Sequence, residues 1–395
     1  MINQEFKAML QGKSVIREIS EYATARGQEI GYENVFDYSL GNPSVPCPEE
    51  FTQSVIDIYK EMDPMDIHGY SPSLGNTKAR EYLAGELRER FNIPYETKHI
   101  FMTSGAASSL AHAFRLVTKP GDEIIGFAPF FPEYIPYIKA TGAKFTIIPA
   151  NTADFQIKFD EFEKALNPNV QAILINSPNN PSGVVYSEET LKKLAGILEA
   201  KQKEYNHEIF LISDEPYREI AFDGKKTPYP SHYFDNTISC YSYSKGMSLP
   251  GERIGYMAFN PKCVDADINA IICGQISRGI GHNCPSATQQ IAITKTGFKL
   301  SDLSVYETNM NIIYNELVDL GFEVVKPQGT FYIFPKALEE SSIDFCNKAK
   351  EYDLLLVPGD TFGCPGYFRM AYCIDTEKVK RSMPVLRKFV EECYK

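Results

Sequence analysis

The chain has 395 residues, 43% of them hydrophobic, and a formal net charge of -11 at pH 7. That acidity disfavours non-specific nucleic-acid binding, which needs a basic footprint, and no apolar run reaches membrane-spanning length. Nine scattered cysteines, an odd count without CxxC spacing, fit reduced thiols in a cytoplasmic protein better than disulfides or a zinc site.

The segment Met1 to Lys7 mixes acid with base and leads into no apolar stretch, so no secretion signal is expected. Residues 1–30 read as an arm and a helix, with Val15, Ile16, Ile19 and Tyr22 at helical spacing and Gly27 as the stop. Residues 39–46, with Gly41, Asn42 and two prolines, form a pinned, irregular loop of the kind that often carries function. A helix over 49–62 precedes a second Gly/Pro loop, 68–75, which presents Tyr70, and a charged helix follows over 76–91. The apolar run at 101–103 then enters a helix whose first turn, Gly105-Ala106-Ala107-Ser108, has no large side chain. Its free N–H groups and positive end suit a phosphate.

Strand-like runs now alternate with helices, at 123–127, 144–148, 172–175, 209–213, 237–243 and 256–259, which indicates a mostly parallel sheet. Ligands collect where such strands end. Loops 129–134, 176–183 and 213–218 stand at those ends. Beyond about residue 295, helices over 301–320, 342–352 and 376–394 surround short strands at 331–334 and 368–372. The expected division is therefore an N-terminal arm with part of the small domain over 1–46, a large α/β domain over 47–295, and a smaller α+β domain over 296–395. The six histidines are too dispersed to imply a cluster, and each reads as structural.

Ser242 to Tyr256 is the most informative stretch. A strand ends at a lysine, Lys245, set among small, hydroxylated and glycine residues, with Arg253 eight positions on. Such a lysine can form a Schiff base with a carbonyl cofactor if its amine is partly desolvated and near other cations. Ser242, Ser244 and Arg253 suit a phosphate. Lysine and phosphate site together suggest pyridoxal phosphate. Alone, the stretch also reads as a strand end followed by a loop with a solvated Lys and Arg.

Separated signals decide between these. Tyr70, the 103–110 helix start, Asn180-Pro181-Ser182-Gly183, Asp214-x-x-Tyr217, Ser242-x-Ser244-Lys245, Arg253 and Arg369 occur in an order and rough spacing that resemble the fold-type I pyridoxal phosphate-dependent aminotransferases. The likeness is to class I/II, the group that includes aspartate aminotransferase, and spans essentially the whole chain. It implies an enzyme moving an amino group from an L-amino acid, aspartate and glutamate among the candidates, to a 2-oxo acid through a lysine Schiff base and a pyridoxamine intermediate. A carbon–sulfur β-lyase shares the fold and cofactor residues and is the alternative. A ligand-sensing regulator built on such a domain is a more remote one.

Carried over, the resemblance makes Lys245 the cofactor's anchor and acid/base, and pairs Asp214 with the pyridine nitrogen. Asn180 and Tyr217 bond the ring's phenolic oxygen; Gly105, Ala106, Ser242 and Arg253 hold the phosphate. Arg369 grips the substrate α-carboxylate beside Gly41. Tyr70 reaches the phosphate of a neighbouring subunit, which implies a homodimer with shared sites. There are three departures. Phe131 stands where relatives stack Trp or Tyr on the ring. Ala107 stands where one bacterial branch has a lysine for acidic substrates. Arg278, in the loop to Pro285, falls on an arginine that another branch presents across the interface to a distal carboxylate. An interface or surface arginine is the alternative there, and a structural role is preferred for His282.

Overall fold

The computed structural model describes residues 14–395 together with Ile2, Gln4 and Lys7; the rest of the expected N-terminal arm lies outside the described residues. Helix α1, the first whose full span lies among the described residues, covers Val15–Ile30. It runs through Gly27, which was expected to stop it. A Cβ at Gly27 would lie 2.4 Å from the Tyr32 ring, so glycine serves close approach there. Gly31, at φ 90°, ends the helix in a conformation that L side chains disfavour.

A seven-stranded sheet organises the larger part of the chain. Its strands are β1 Ile100–Thr103, β2 Glu123–Phe127, β3 Lys144–Ile148, β4 Val170–Asn176, β5 Phe210–Asp214, β6 Thr237–Ser242 and β7 Gly255–Phe259. Their order is β1-β7-β6-β5-β4-β2-β3. β7 is antiparallel to both neighbours, and the other strands run one way. β2, β6 and β7 are buried at every position. This burial is what a sheet covered by helices on both faces requires; β2 and β7 are largely apolar, while β6 interleaves small hydroxyl residues with Ile238, Cys240 and Tyr241. Asn176 pairs in register with Asp214, and Asp214 with Cys240, so the ends of β4, β5 and β6 lie side by side.

Four helices bear on the site or its surroundings: α2 Glu49–Glu61, α3 Thr77–Phe91, α4 Ala106–Val117 and α5 Ala266–Ile280. Asn76 caps α3 by accepting from the Ala79 N–H at 3.1 Å. At α4 the N-cap is Gly105, at φ 90°, with no side-chain cap.

A second apolar core joins Phe36, Tyr38, Val45, Tyr217, Ile220 and Phe222 to residues between Tyr306 and Val390. The short strand Phe36–Asp37 pairs in parallel with Leu354–Leu355. A three-stranded antiparallel sheet places Phe368–Ala371 between Val357–Pro358 and Tyr332–Ile333. Through it the C-terminal part delivers Arg369 against the ends of the large sheet. Among the described residues no helix is long and apolar enough to cross a membrane.

Candidate active site

One cavity, of about 310 Å³, lies where β4, β5 and β6 end, and it collects most of the expected site residues. Lys245 enters it from the turn after β6, with its amine donating to the Gly41 carbonyl at 2.6 Å. Gly41 has no alternative: a Cβ there would sit 1.8 Å from the Tyr332 hydroxyl. Burial, aided by the Arg369 and Arg253 charges, pulls the Lys245 ammonium down to about 8. A substantial fraction of the amine is therefore neutral near physiological pH. The rate at which apoprotein captures pyridoxal phosphate covalently is expected to rise as pH increases through about 8 and then level off. Stopped-flow absorbance across pH 6 to about 10 checks this, since only the unprotonated amine attacks a carbonyl.

Asp214 ends β5 and is buried. Its Oδ2 accepts from the Tyr134 hydroxyl at 2.5 Å, while Oδ1 has no partner among the described residues. Burial pushes the carboxyl up to about 7 against the Tyr134 bond, which opposes the shift. The neighbouring Glu215 adds little because Arg218 pairs with it at 2.9 Å, both side chains being buried. An unpartnered buried carboxylate oxygen suits a cationic N–H donor.

The third wall is a cradle for an anion. Ser242 and Ser244 hydroxyls lie 2.6 Å apart. Arg253 holds φ 51° and donates to the Pro250 and Ser104 carbonyls, each at 2.9 Å. A Cβ on Gly105 would come within 3.0 Å of the Arg253 guanidinium, so the uncapped start of α4 approaches the arginine closely only because glycine is there. Ala106 and Ala107 line the cavity beside it. Two hydroxyls, a guanidinium and free helix N–H groups match the donor set a phosphate takes.

Opposite stands Arg369, 2% exposed. It donates to Asn180 Oδ1 at 3.0 Å and to the Ser39 carbonyl, and its Nε has no partner among the described residues. The guanidinium lies 4.4 Å from the Tyr332 ring centroid. Asn180 is itself fixed through its N–H, which donates to Asn176 Oδ1 at 2.7 Å, and Asn176 donates to the Asp214 carbonyl at 2.9 Å. Tyr217 and Tyr332 share a hydroxyl contact of 3.1 Å. Phe131 and Leu40 complete the wall, with Ile16 from α1.

Tyr70 and Arg278 are not in this cavity. Tyr70 is fully exposed on its own chain, and it lines a separate cavity together with Arg278 and His282. Sequence reasoning assigned no role to Tyr134, Asn176, Tyr332 or Ile16. Tyr134 and Asn176 lay in loops recognised as strand ends, the only signal they carried; Tyr332 comes from another part of the fold.

These features fit pyridoxal phosphate: an amine able to be neutral, a lone carboxylate oxygen, an anion cradle and an under-used guanidinium around one cavity. Such a pocket at the ends of a mostly parallel sheet defines a pyridoxal phosphate-dependent transferase of fold type I. The family model for aminotransferase class I and II matches residues 33–386, and the chain belongs to that family. A probable N-acetyl-LL-diaminopimelate aminotransferase of Bacillus subtilis is 30% identical over 91% of this chain and 90% of its own length. The aspartate aminotransferase of Thermotoga maritima is 27% identical over 95% and 99%. Among solved structures, an amino transferase from Eubacterium rectale superposes with a TM-score of 0.97 at 42% identity, covering 100% of both chains. The protein is a pyridoxal phosphate-dependent aminotransferase.

Proposed function

We propose that Lys245 and Asp214 carry the chemistry and that Arg369 selects α-carboxylate substrates. The observation that carries this is the convergence of the Lys245 amine, the unpartnered Asp214 Oδ1 and the unpartnered Arg369 Nε on one cavity. When bound, pyridoxal phosphate supplies a carbonyl that takes up amines covalently and a ring that accepts the electron pair released at the substrate Cα. With the cofactor bound, Lys245 would take the proton from the substrate Cα and return it to the carbon that had carried the carbonyl, across the intervening nitrogen. Asp214 holds a proton on the ring nitrogen. Tyr217 and Asn180 donate to the ring oxygen, and Gly105, Ala106, Ser242 and Arg253 bind the phosphate. Phe131, which lines the cavity, would offer the ring an apolar face and no hydrogen bond.

Arg369 fixes the α-carboxylate beside Gly41, orienting the Cα–H bond toward Lys245. The wall left for the side chain, Ile16, Leu40 and Phe131, carries no charge, and Ala107 offers no ammonium. A distal carboxylate would be read by Arg278 of the partner subunit, in a homodimer where Tyr70 also crosses. Supporting this, Tyr70 and Arg278 share one cavity away from their own site, and Ile268, Ile271 and Ile272 stand exposed on α5, the helix that carries Arg278. We retain the division at 46 and 295 and a cytoplasmic location, the latter supported by nine free cysteines.

The test is a half-reaction. The yellow enzyme is mixed with single amino acids, without an oxo acid, and conversion to the pyridoxamine form is followed by absorbance. No conversion by any amino acid, with pyruvate released from cysteine-type substrates, would replace this reading with a β-lyase. Arg278→Ala is expected to lower kcat/KM on the order of 100-fold for aspartate or glutamate and to spare neutral donors. Equal losses on both would remove Arg278 from recognition.

A further inference from the structure

Four residues beside the pocket close a hydrogen-bonded ring that the chemistry above does not use. His112 Nδ1 lies 2.7 Å from the Ser108 carbonyl, which can only accept, so Nδ1 carries the proton and Nε2 is an acceptor. Ser277 Oγ, 2.9 Å from that Nε2, therefore donates. The Ser277 carbonyl accepts from the His282 N–H at 3.0 Å. His282 Nε2 returns to Ser108 Oγ at 2.8 Å, closing the circuit. The two imidazoles, 170 positions apart in the chain, meet edge to face with centroids 5.3 Å apart. Burial lowers the pKa of both, so the neutral forms this pattern needs prevail at neutral pH.

The ring joins two functional segments. Ser108 is the third residue of α4, on the turn that has no side-chain cap and whose Gly105 lies against Arg253 and Ser242 of the anion cradle. Ser277 immediately precedes Arg278, and His282 follows Gly281, which ends α5 at φ 66°. A serine hydroxyl at a helix start ordinarily competes for nearby backbone groups. Here the hydroxyl is engaged by a side chain from another element, so it does not compete for the N–H groups of the turn.

We propose that His282, acting through Ser108, is a positioning residue that holds the phosphate-binding turn of α4 in register and thereby sets cofactor affinity. This rests on the reading of that turn as a phosphate ligand. A turn already fixed loses less conformational freedom when the anion binds.

Equilibrium dialysis of the full-length protein against pyridoxal phosphate tests it. His282→Phe and Ser108→Ala should each weaken cofactor binding by about five- to tenfold, and the double variant should be no weaker than either single one. His282→Gln, which keeps an acceptor for the Ser108 hydroxyl, should restore most of the affinity. Unchanged affinity in His282→Phe and Ser108→Ala, with Arg253→Ala weakened, overturns the proposal and leaves the phosphate site standing. Unchanged affinity in Arg253→Ala overturns the reading beneath it. Equal loss in His282→Gln and His282→Phe, or full additivity in the double variant, also overturns the proposal, because the hydrogen bond would not then be the agent.

Discussion

Lys245→Ala is expected to lower turnover with every amino-acid donor by at least about 10⁴-fold while leaving the protein folded. No other group in the cavity can take over proton transfer at the substrate Cα. Burial raises Tyr217 well above the usual phenol range, and the Tyr332 phenol beside it is raised as well. The nearby Cys373 thiol is pushed up to about 12, and Arg253 and Arg369 are cations. Asp214 is held at the end of β5 by Tyr134. Asp214 also titrates near neutrality, at about 7, but is assigned to the ring nitrogen, which leaves the Lys245 amine, drawn down to about 8, as the group placed to move the proton at Cα.

Folding should not suffer. A lysine whose folded pKa is depressed disfavours the folded state fully below that pKa, and the penalty fades as pH rises toward the unfolded value. Removing it relieves the apoprotein most below about pH 8. That gain offsets the lost bond to the Gly41 carbonyl, so the apoprotein Tm should be unchanged or higher at pH 7. Weak retention of cofactor through the phosphate cradle should persist, visible as the absorbance of the free aldehyde after brief dialysis. Full transaminase activity in this variant would end the assignment.

Local signals in this chain were legible where one short segment carries its own chemistry. The end of β6 and the turn to Lys245 were readable because small residues, a lysine and an arginine fall within twelve positions, and the apolar runs of the sheet because strands buried on both faces cannot hide their composition. The limits of elements were less so, and for a physical reason. Gly27 and Gly31 look alike in sequence, and only the Tyr32 ring against the first and the positive φ of the second tell packing from termination. Tyr134 and Tyr332 are two of 24 tyrosines, and nothing near them in the chain marks which side chain will meet Asp214 and which Arg369. The histidines illustrate the same limit. Dispersed in sequence, His112 and His282 become neighbours only because α5 packs on α4. Tyr70 and Arg278 are the converse, singled out by likeness to a family yet lying outside their own chain's cavity.

Asp214→Asn is expected to separate activity from stability. Asparagine keeps the shape of the side chain but supplies no negative charge to hold a proton on the ring nitrogen, so the electron pair released at Cα is poorly accommodated. A loss on the order of 10²- to 10³-fold in kcat is expected, with much less change in KM, since the interaction strengthens as charge develops rather than on binding. The apoprotein should move the other way. In the folded chain the Asp214 carboxyl titrates at about 7, above its ordinary value, because it is buried with Oδ1 unpartnered. Between about pH 4 and 7 the folded state therefore holds a proton that the unfolded chain has released, and stability falls as pH rises through that window. Asparagine removes the penalty, worth at most roughly 4 kcal/mol at neutral pH. Urea unfolding of both apoproteins at pH 4 and pH 8 measures this directly: the variant should gain at pH 8 and gain little at pH 4. An apoprotein equally stable with either residue at pH 8 would mean that Oδ1 finds a partner in solution, and the pairing of Asp214 with the ring nitrogen would lose its physical basis. A gain at pH 8 together with slow turnover identifies Asp214 as a charge the fold tolerates only for the cofactor it meets.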